Sequence, residues 1–225
     1  MLQYDSNKAI ISIHIPKAGG TSFRKILSNW YGNKLHLHYF NENNKLMPEK
    51  FELLPGMCIH GHFNSSRDFG IRHYYPEADQ FITFMRDPFD IIVSRYYYVK
   101  MREKAGTSYR DGKPTNLADN VNDFLEQEIH NSNYTPNILD FFPEVITSEN
   151  YEQIIRSKFI YIGFMDNYQE SVDRLADILG FPHMIAPFEN KSERFGEIDP
   201  SLRKIFMETH QLEYKVYNCA RKIFF

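Results

Sequence analysis

One nine-residue stretch constrains the fold of this chain more than any other: His14-Ile15-Pro16-Lys17-Ala18-Gly19-Gly20-Thr21-Ser22. A β-rich apolar run over residues 9–15 leads into it, and residues 23–30 follow with the spacing of an amphipathic helix. Thr21 or Ser22 suits the helix start. The unit is therefore strand, glycine turn, helix. Two glycines let the backbone turn tightly and come close to a ligand. Successive amides from Ala18 to Ser22 can point inward with the positive end of a helix behind them, and this concavity suits an anion. Lys17 adds a full charge, and the Thr21 and Ser22 hydroxyls add donors. The order differs from the Walker A loop, in which lysine follows the glycines. An ordinary strand-to-helix turn with a surface lysine is the plainer alternative.

The rest of the chain alternates in the same way. Strands are expected over residues 34–40, 57–60, 81–85 and 159–164. Helices are expected over 48–54, 89–104, 169–179 and, as one long terminal element, 200–223. A further helix ending at Ile129 would be capped by Asn116 or Asp119, and residues 105–116 read as a mobile loop. Alternating strands and helices predict an α/β fold with a parallel sheet flanked by helices, of the P-loop NTPase type. At 225 residues, a single domain over 1–225 is the simplest organisation. Ligands of such sheets bind at the ends of the strands.

A second anion-binding segment follows the strand at 81–85. In Arg86-Asp87-Pro88-Phe89-Asp90-Ile91-Ile92-Val93-Ser94-Arg95-Tyr96-Tyr97-Tyr98, Arg86 stands at the strand end and Ser94 stands eight residues on. Arginine reaches along the first helical turns, so both side chains can converge on one anion. The plainer alternative is an Arg86–Asp87 surface pair and an unrelated serine.

Taken together, these two segments resemble those of sulfotransferases that use 3′-phosphoadenosine 5′-phosphosulfate (PAPS), above all the carbohydrate group with the heparan sulfate 2-O-sulfotransferases. The resemblance continues through residues 161–182 and the C-terminal segment, in the right order. It implies that Lys17, Ala18, Gly19, Gly20, Thr21 and Ser22 hold the 5′-phosphosulfate, and that Arg86 and Ser94 hold the 3′-phosphate. Lys191 and Ser192 stand where the late loop of that family closes over the nucleotide. The implied activity is sulfuryl transfer to an acceptor hydroxyl, with carbohydrate favoured and no metal.

Cys58-Ile59-His60-Gly61-His62-Phe63 adds a candidate base. In extended chain His60 and His62 face the same way, and Gly61 between them leaves room for a substrate. A neutral imidazole is the natural acceptor for an alcohol proton. The resemblance points to the same stretch, with His62 as base and His60 assisting or orienting it. A zinc site from this pair with His36 and His38 lacks a third acidic ligand at a telling spacing. His38, Arg102 and Arg110 are candidates for the acceptor side; Lys100, Arg102 and Arg110 equally suit a solvated basic face.

Composition narrows the alternatives. A net charge of −3 argues against a nucleic-acid binder. No apolar run reaches the length of a membrane span or a signal peptide, and two cysteines form no disulfide framework. A cytoplasmic protein is expected. The competing functional readings are a nucleotide-dependent kinase, a silent nucleotide-binding module and a metal-dependent hydrolase.

Overall fold

The computed structural model describes residues 2–41, 46, 48–107, 109–110, 113–114, 117–131, 134, 136–187 and 195–225. Five parallel strands form the main sheet: β1 (Ile10–Ile13), β2 (Leu35–His38), β3 (Cys58–Gly61), β4 (Phe81–Met85) and, after a small hairpin, β7 (Phe159–Phe164). The spatial order is β2-β3-β1-β4-β7. Every residue of β1, β3, β4 and β7 is buried, as expected when helices cover both faces of a parallel sheet. The expected α/β architecture is the one found. The chain runs outward from β1 to β2 and back through β3, then crosses to β4 on the other side of β1. The C-terminal end of β1 is thus the point where the strand order reverses, the place where ligands of such sheets are expected.

The helices are α1 (Gly20–Tyr31), the single turn α2 (Ile71–Tyr74), α3 (Pro88–Lys104), α4 (Val121–Ile129), α5 (Tyr151–Lys158), α6 (Tyr168–Leu179), α7 (Pro200–Thr209) and α8 (Gln211–Phe224). A second apolar cluster, with Phe89, Tyr96, Tyr97, Phe124, Leu125, Leu202 and Phe206, joins α3, α4 and α7 beside the main core.

Five expectations need correction. Residues 48–54 are not helical: the Phe51 amide donates to the Tyr75 hydroxyl at 3.2 Å and its ring lies against His36, which holds the segment extended. The cap of α4 is Asn120, whose side chain accepts from the Asp123 amide. α1 starts at Gly20, ahead of the expected Thr21 or Ser22, because Gly19 takes the left-handed cap position. In the 105–116 loop, Tyr109–Arg110 (β5) pairs antiparallel with Lys113–Pro114 (β6). The long terminal helix is broken at His210, with φ −113° and ψ 44°. There the Thr209 hydroxyl donates to the Ile205 and Phe206 carbonyls, and the His210 ring stacks on Phe206 at 3.9 Å. Side chains that bond preceding carbonyls in this way compete with the helical ladder.

Asp87 fixes the start of α3. Its carboxylate accepts from the Asp90 amide at 3.2 Å, from Arg203 of α7 at 2.8 Å and from the Tyr214 hydroxyl of α8 at 3.2 Å. Asp87 is therefore committed to the terminal helices. Asp87→Ala is expected to lower stability by about 1–2 kcal/mol through loss of the cap. Urea unfolding reads this directly, and an unchanged midpoint would contradict the role given to the carboxylate.

Candidate active site

The loop between β1 and α1 has the backbone form that suits an anion. Lys17 and Gly19 both adopt the left-handed backbone, with φ 66° and 77°. For a lysine this costs about 1–3 kcal/mol, a strain that the surrounding structure must hold in place. Gly19 is the N-cap of α1 and has no side chain to cap it, and the first turn contains no acidic residue. The first amides of a helix have no intrahelical acceptor. Those of Gly20, Thr21 and Ser22 therefore suit an external anion, with the helix dipole behind them. Ala18 is buried and its amide donates to the Ile15 carbonyl at 3.2 Å, so it does not join the cradle as expected; Thr21 is half-buried and Ser22 is buried.

The glycines answer to the protein's own packing as well. A Cβ on Gly19 would fall 2.3 Å from the Met165 sulfur, and one on Gly20 would fall 1.9 Å from the His14 ring. The same holds for Gly61, whose Cβ would meet the His38 carbonyl at 1.9 Å. Gly61 thus makes room for the neighbouring strand β2, and the expectation that it opens a path for substrate is corrected.

Arg86, directly after β4, donates to the Lys17 carbonyl at 3.3 Å. The Lys17 ammonium lies 3.8 Å from the centre of the Tyr98 ring. Burial, and then the charge of Arg86, brings Lys17 down to about 8. Ser94 is half-buried one turn before Tyr98, so the two share the face of α3 that Lys17 meets. Of the tyrosine run, Tyr96 and Tyr97 belong to the second core and only Tyr98 serves this loop. The structure thus brings Lys17, Arg86 and the Ser94 face to one end of the sheet. Lys191 and Ser192 lie outside the described residues.

The histidines stand at the same end. His62 is half-buried, and its Nδ1–H donates to the His14 carbonyl at 2.8 Å. A neutral imidazole bonded this way carries its lone pair on Nε2. His60 is wholly buried, with Nδ1 bonded to the Ser12 hydroxyl at 2.9 Å and an edge contact to Phe23. Burial brings it down to about 3, so it stays neutral. His60 can support the site but cannot meet an acceptor. His38 is 1 % exposed, bonded to the Tyr75 hydroxyl and stacked on Phe63. Burial brings it down to about 4. It packs between sheet and α2 rather than lining an open acceptor pocket.

The remaining acceptor-side candidates are placed as follows. Arg102 donates to the Thr107 carbonyl at the end of α3, and Lys100 pairs with Glu103 at 3.2 Å. Arg110 is in the β5–β6 hairpin. Among the described residues no three His, Cys, Asp or Glu side chains group as metal ligands. No described helix is long and apolar enough to cross a membrane.

Sequence reasoning passed over two residues here, His14 and Tyr39. The His14 ring stacks on His62 at 4.2 Å and on His60 at 5.3 Å, and its Nδ1 bonds the Tyr39 hydroxyl at 2.8 Å. Tyr39 also meets both His60 and His62 edge-on. The signal lay in the register: Ile13 pairs with Gly61 and His38 pairs with Gly61. Residues 14, 39 and 62 are therefore each one step beyond the last pairing of three adjacent strands.

Residues 2–218 match a protein-family profile described as the sulfotransferase family. The chain belongs to the sulfotransferase family. Membership makes it a PAPS-dependent sulfotransferase and goes against the kinase reading; it does not single out the heparan sulfate group. The sulfotransferase also superposes on mouse sulfotransferase SULT7A1, solved with 3′-phosphoadenosine 5′-phosphate (PAP). That match has a TM-score of 0.49 and 15% identity, and covers 95% of this chain and 68% of the mouse chain. No curated protein matches the sulfotransferase significantly in sequence.

Proposed function

We propose that this sulfotransferase moves a sulfuryl group from PAPS to an acceptor hydroxyl, with a sugar hydroxyl favoured, and that His62 takes the acceptor proton. The observation that carries the reading is the convergence at the end of β1. A strained loop with helix amides, Lys17 and Arg86 stands beside an imidazole whose Nδ1–H is already engaged. In the donor complex, the amides of Gly20 to Ser22 and Lys17 hold the 5′-phosphosulfate, and Arg86 with Ser94 holds the 3′-phosphate. Sulfuryl transfer is in-line and loose, so positioning and charge stabilisation supply most of the catalysis. Lys17 neutralises charge that grows on the leaving phosphate. His62 Nε2 accepts the acceptor proton as the new S–O bond forms. The chemistry calls for no metal, because a terminal sulfate carries less charge than a terminal phosphate. Cys58 and Cys219 are unpaired, which fits a cytoplasmic protein. The net charge of −3 fits a small-molecule or glycan acceptor better than a nucleic acid.

The test is the 3′-phosphate. Losing a hydrogen bond to a charged group costs about 1.5–3 kcal/mol. PAP is therefore expected to bind about 10–100-fold tighter than AMP, without magnesium. Calorimetry giving equal affinities would remove the donor assignment.

A further inference from the structure

His14 is used by none of the steps above, yet it touches both halves of the site. Its ring fills the space that a Cβ on Gly20 would take, so it lies against the first turn of the anion-binding helix. Its other contacts are all on the base side. The carbonyl accepts the His62 Nδ1–H, and the ring lies on His62 with 26° between planes. Tyr39, directly after β2, holds the His14 Nδ1 at 2.8 Å.

We propose that the His14 ring, steadied by Tyr39, makes His14 a positioning residue for sulfuryl transfer: it fixes the plane of the His62 ring, whose Nδ1–H the main-chain carbonyl of His14 already holds, and sets that ring's distance from the donor loop. The proposal rests on the reading of His62 as base. Two features support it. A base hydrogen-bonded through one nitrogen has a single neutral tautomer, and the ring stack fixes its plane. The His14 carbonyl also accepts more strongly as His62 becomes imidazolium, so it stabilises the charge that appears during transfer. His14 itself must stay neutral for this to work, and burial beside His62 and His60 holds it well below the ordinary histidine range. The titratable groups around the pair are His60 from β3, Tyr39 after β2, Arg24 from α1 and Lys17 of the loop.

The experiment uses the full chain labelled with ¹⁵N-histidine, with the His62 signal assigned by its loss in His62→Ala. In the wild type, long-range ¹H–¹⁵N spectra are expected to report His62 as the Nδ1–H tautomer. His14→Ala and Tyr39→Phe both keep the main-chain carbonyl, so the tautomer is retained while the ring is released. The His62 titration moves to higher pH in His14→Ala, because water replaces the stacked ring and solvates the imidazolium. PAP affinity stays within about twofold, while PAPS turnover, followed with a desulfated glycosaminoglycan as probe and with water alone, falls about 10-fold or more. His14→Phe, which restores a ring without its nitrogens, recovers part of the loss. A merely structural role would lower thermal stability and leave the His62 titration unmoved. An unchanged His62 titration in His14→Ala, or unchanged turnover in both His14→Ala and Tyr39→Phe, overturns the proposal, even if His62→Ala is inactive. A parallel loss of PAP affinity also overturns it, since His14 then serves the donor loop. Normal turnover in His62→Ala defeats the base reading and the positioning role in transfer with it.

Discussion

His62→Ala is expected to lower turnover about 10²–10⁴-fold, the range for loss of a general base. PAP affinity in the same variant should stay within error. The two halves of this expectation come from different parts of the geometry. The groups proposed to bind the donor, Lys17, Arg86 and the amides of α1, follow β1 and β4. His62 follows β3 and is tied to the β1 end through the His14 carbonyl. Removing its imidazole therefore leaves the anion cradle standing. The variant also leaves the sheet intact, because His62 is half-buried and lies beyond the last strand pairing. His60→Ala has a different signature. His60 is wholly buried against Phe23 and bonded to Ser12, so its loss opens a cavity and lowers stability together with activity. Comparing kinetics, PAP titrations and thermal unfolding for the two variants separates base from support. The wild-type rate should also fall toward acid, as the base takes up a proton and can no longer accept one. Normal turnover in both variants would remove the histidines from the chemistry.

Much of this was legible in the sequence wherever a local rule and the tertiary structure agree. Phe81–Met85 and Phe159–Phe164 read as buried strands because short apolar runs stop at polar residues, and both are strands over those residues. The helix expected over 89–104 was legible as well; it starts one residue earlier, at Pro88, with Asp87 as its cap. What was not legible depends on pairing between distant segments. Residues 48–54 look helical until Tyr75 takes the Phe51 amide, a contact set by the packing of α2. The terminal helix looks continuous until His210 settles on Phe206 and Tyr134.

The site divides along the same line. Lys17 and the glycine turn are local features, and the spacing of Arg86 and Ser94 is a local one too. That His14, Tyr39 and His62 meet requires the order β2-β3-β1, which no local pattern states. The meaning of Gly61 reversed for the same reason. Beside an unknown neighbour a glycine looks like an opening, but its missing Cβ is filled by the carbonyl of His38. His38 itself was a reasonable acceptor-side candidate by type and alternation, and it turned inward because Tyr75 and Phe63 close over it.

Lys17→Ala is expected to depress kcat more than it raises the KM for PAPS. The ammonium is held over Tyr98 and next to the carbonyl that Arg86 grips, in a left-handed backbone that a flexible surface lysine would not need. Such strain makes sense when position matters to the reaction and not to binding alone. In the loose transition state, charge accumulates on the departing 5′-phosphate, and a fixed ammonium there is worth most at that moment. The expected loss is about 10²–10³-fold in kcat, comparable to removing one preorganised donor from a developing oxyanion. A pH test follows from its lowered basicity. Free of donor, Lys17 loses its proton near pH 8, because burial and Arg86 both disfavour its charge. As pH rises through that value the ammonium disappears, so turnover at low donor concentration should fall on the alkaline side. Bound phosphosulfate favours the charged form and raises the pKa again. PAP binding measured above pH 8 should therefore take up a proton, visible as a calorimetric heat that changes with the ionisation enthalpy of the buffer. In Lys17→Ala both the alkaline fall and this proton uptake should vanish. A variant with weaker PAPS binding, normal kcat and an unchanged alkaline limb would reduce Lys17 to an anchor for the donor.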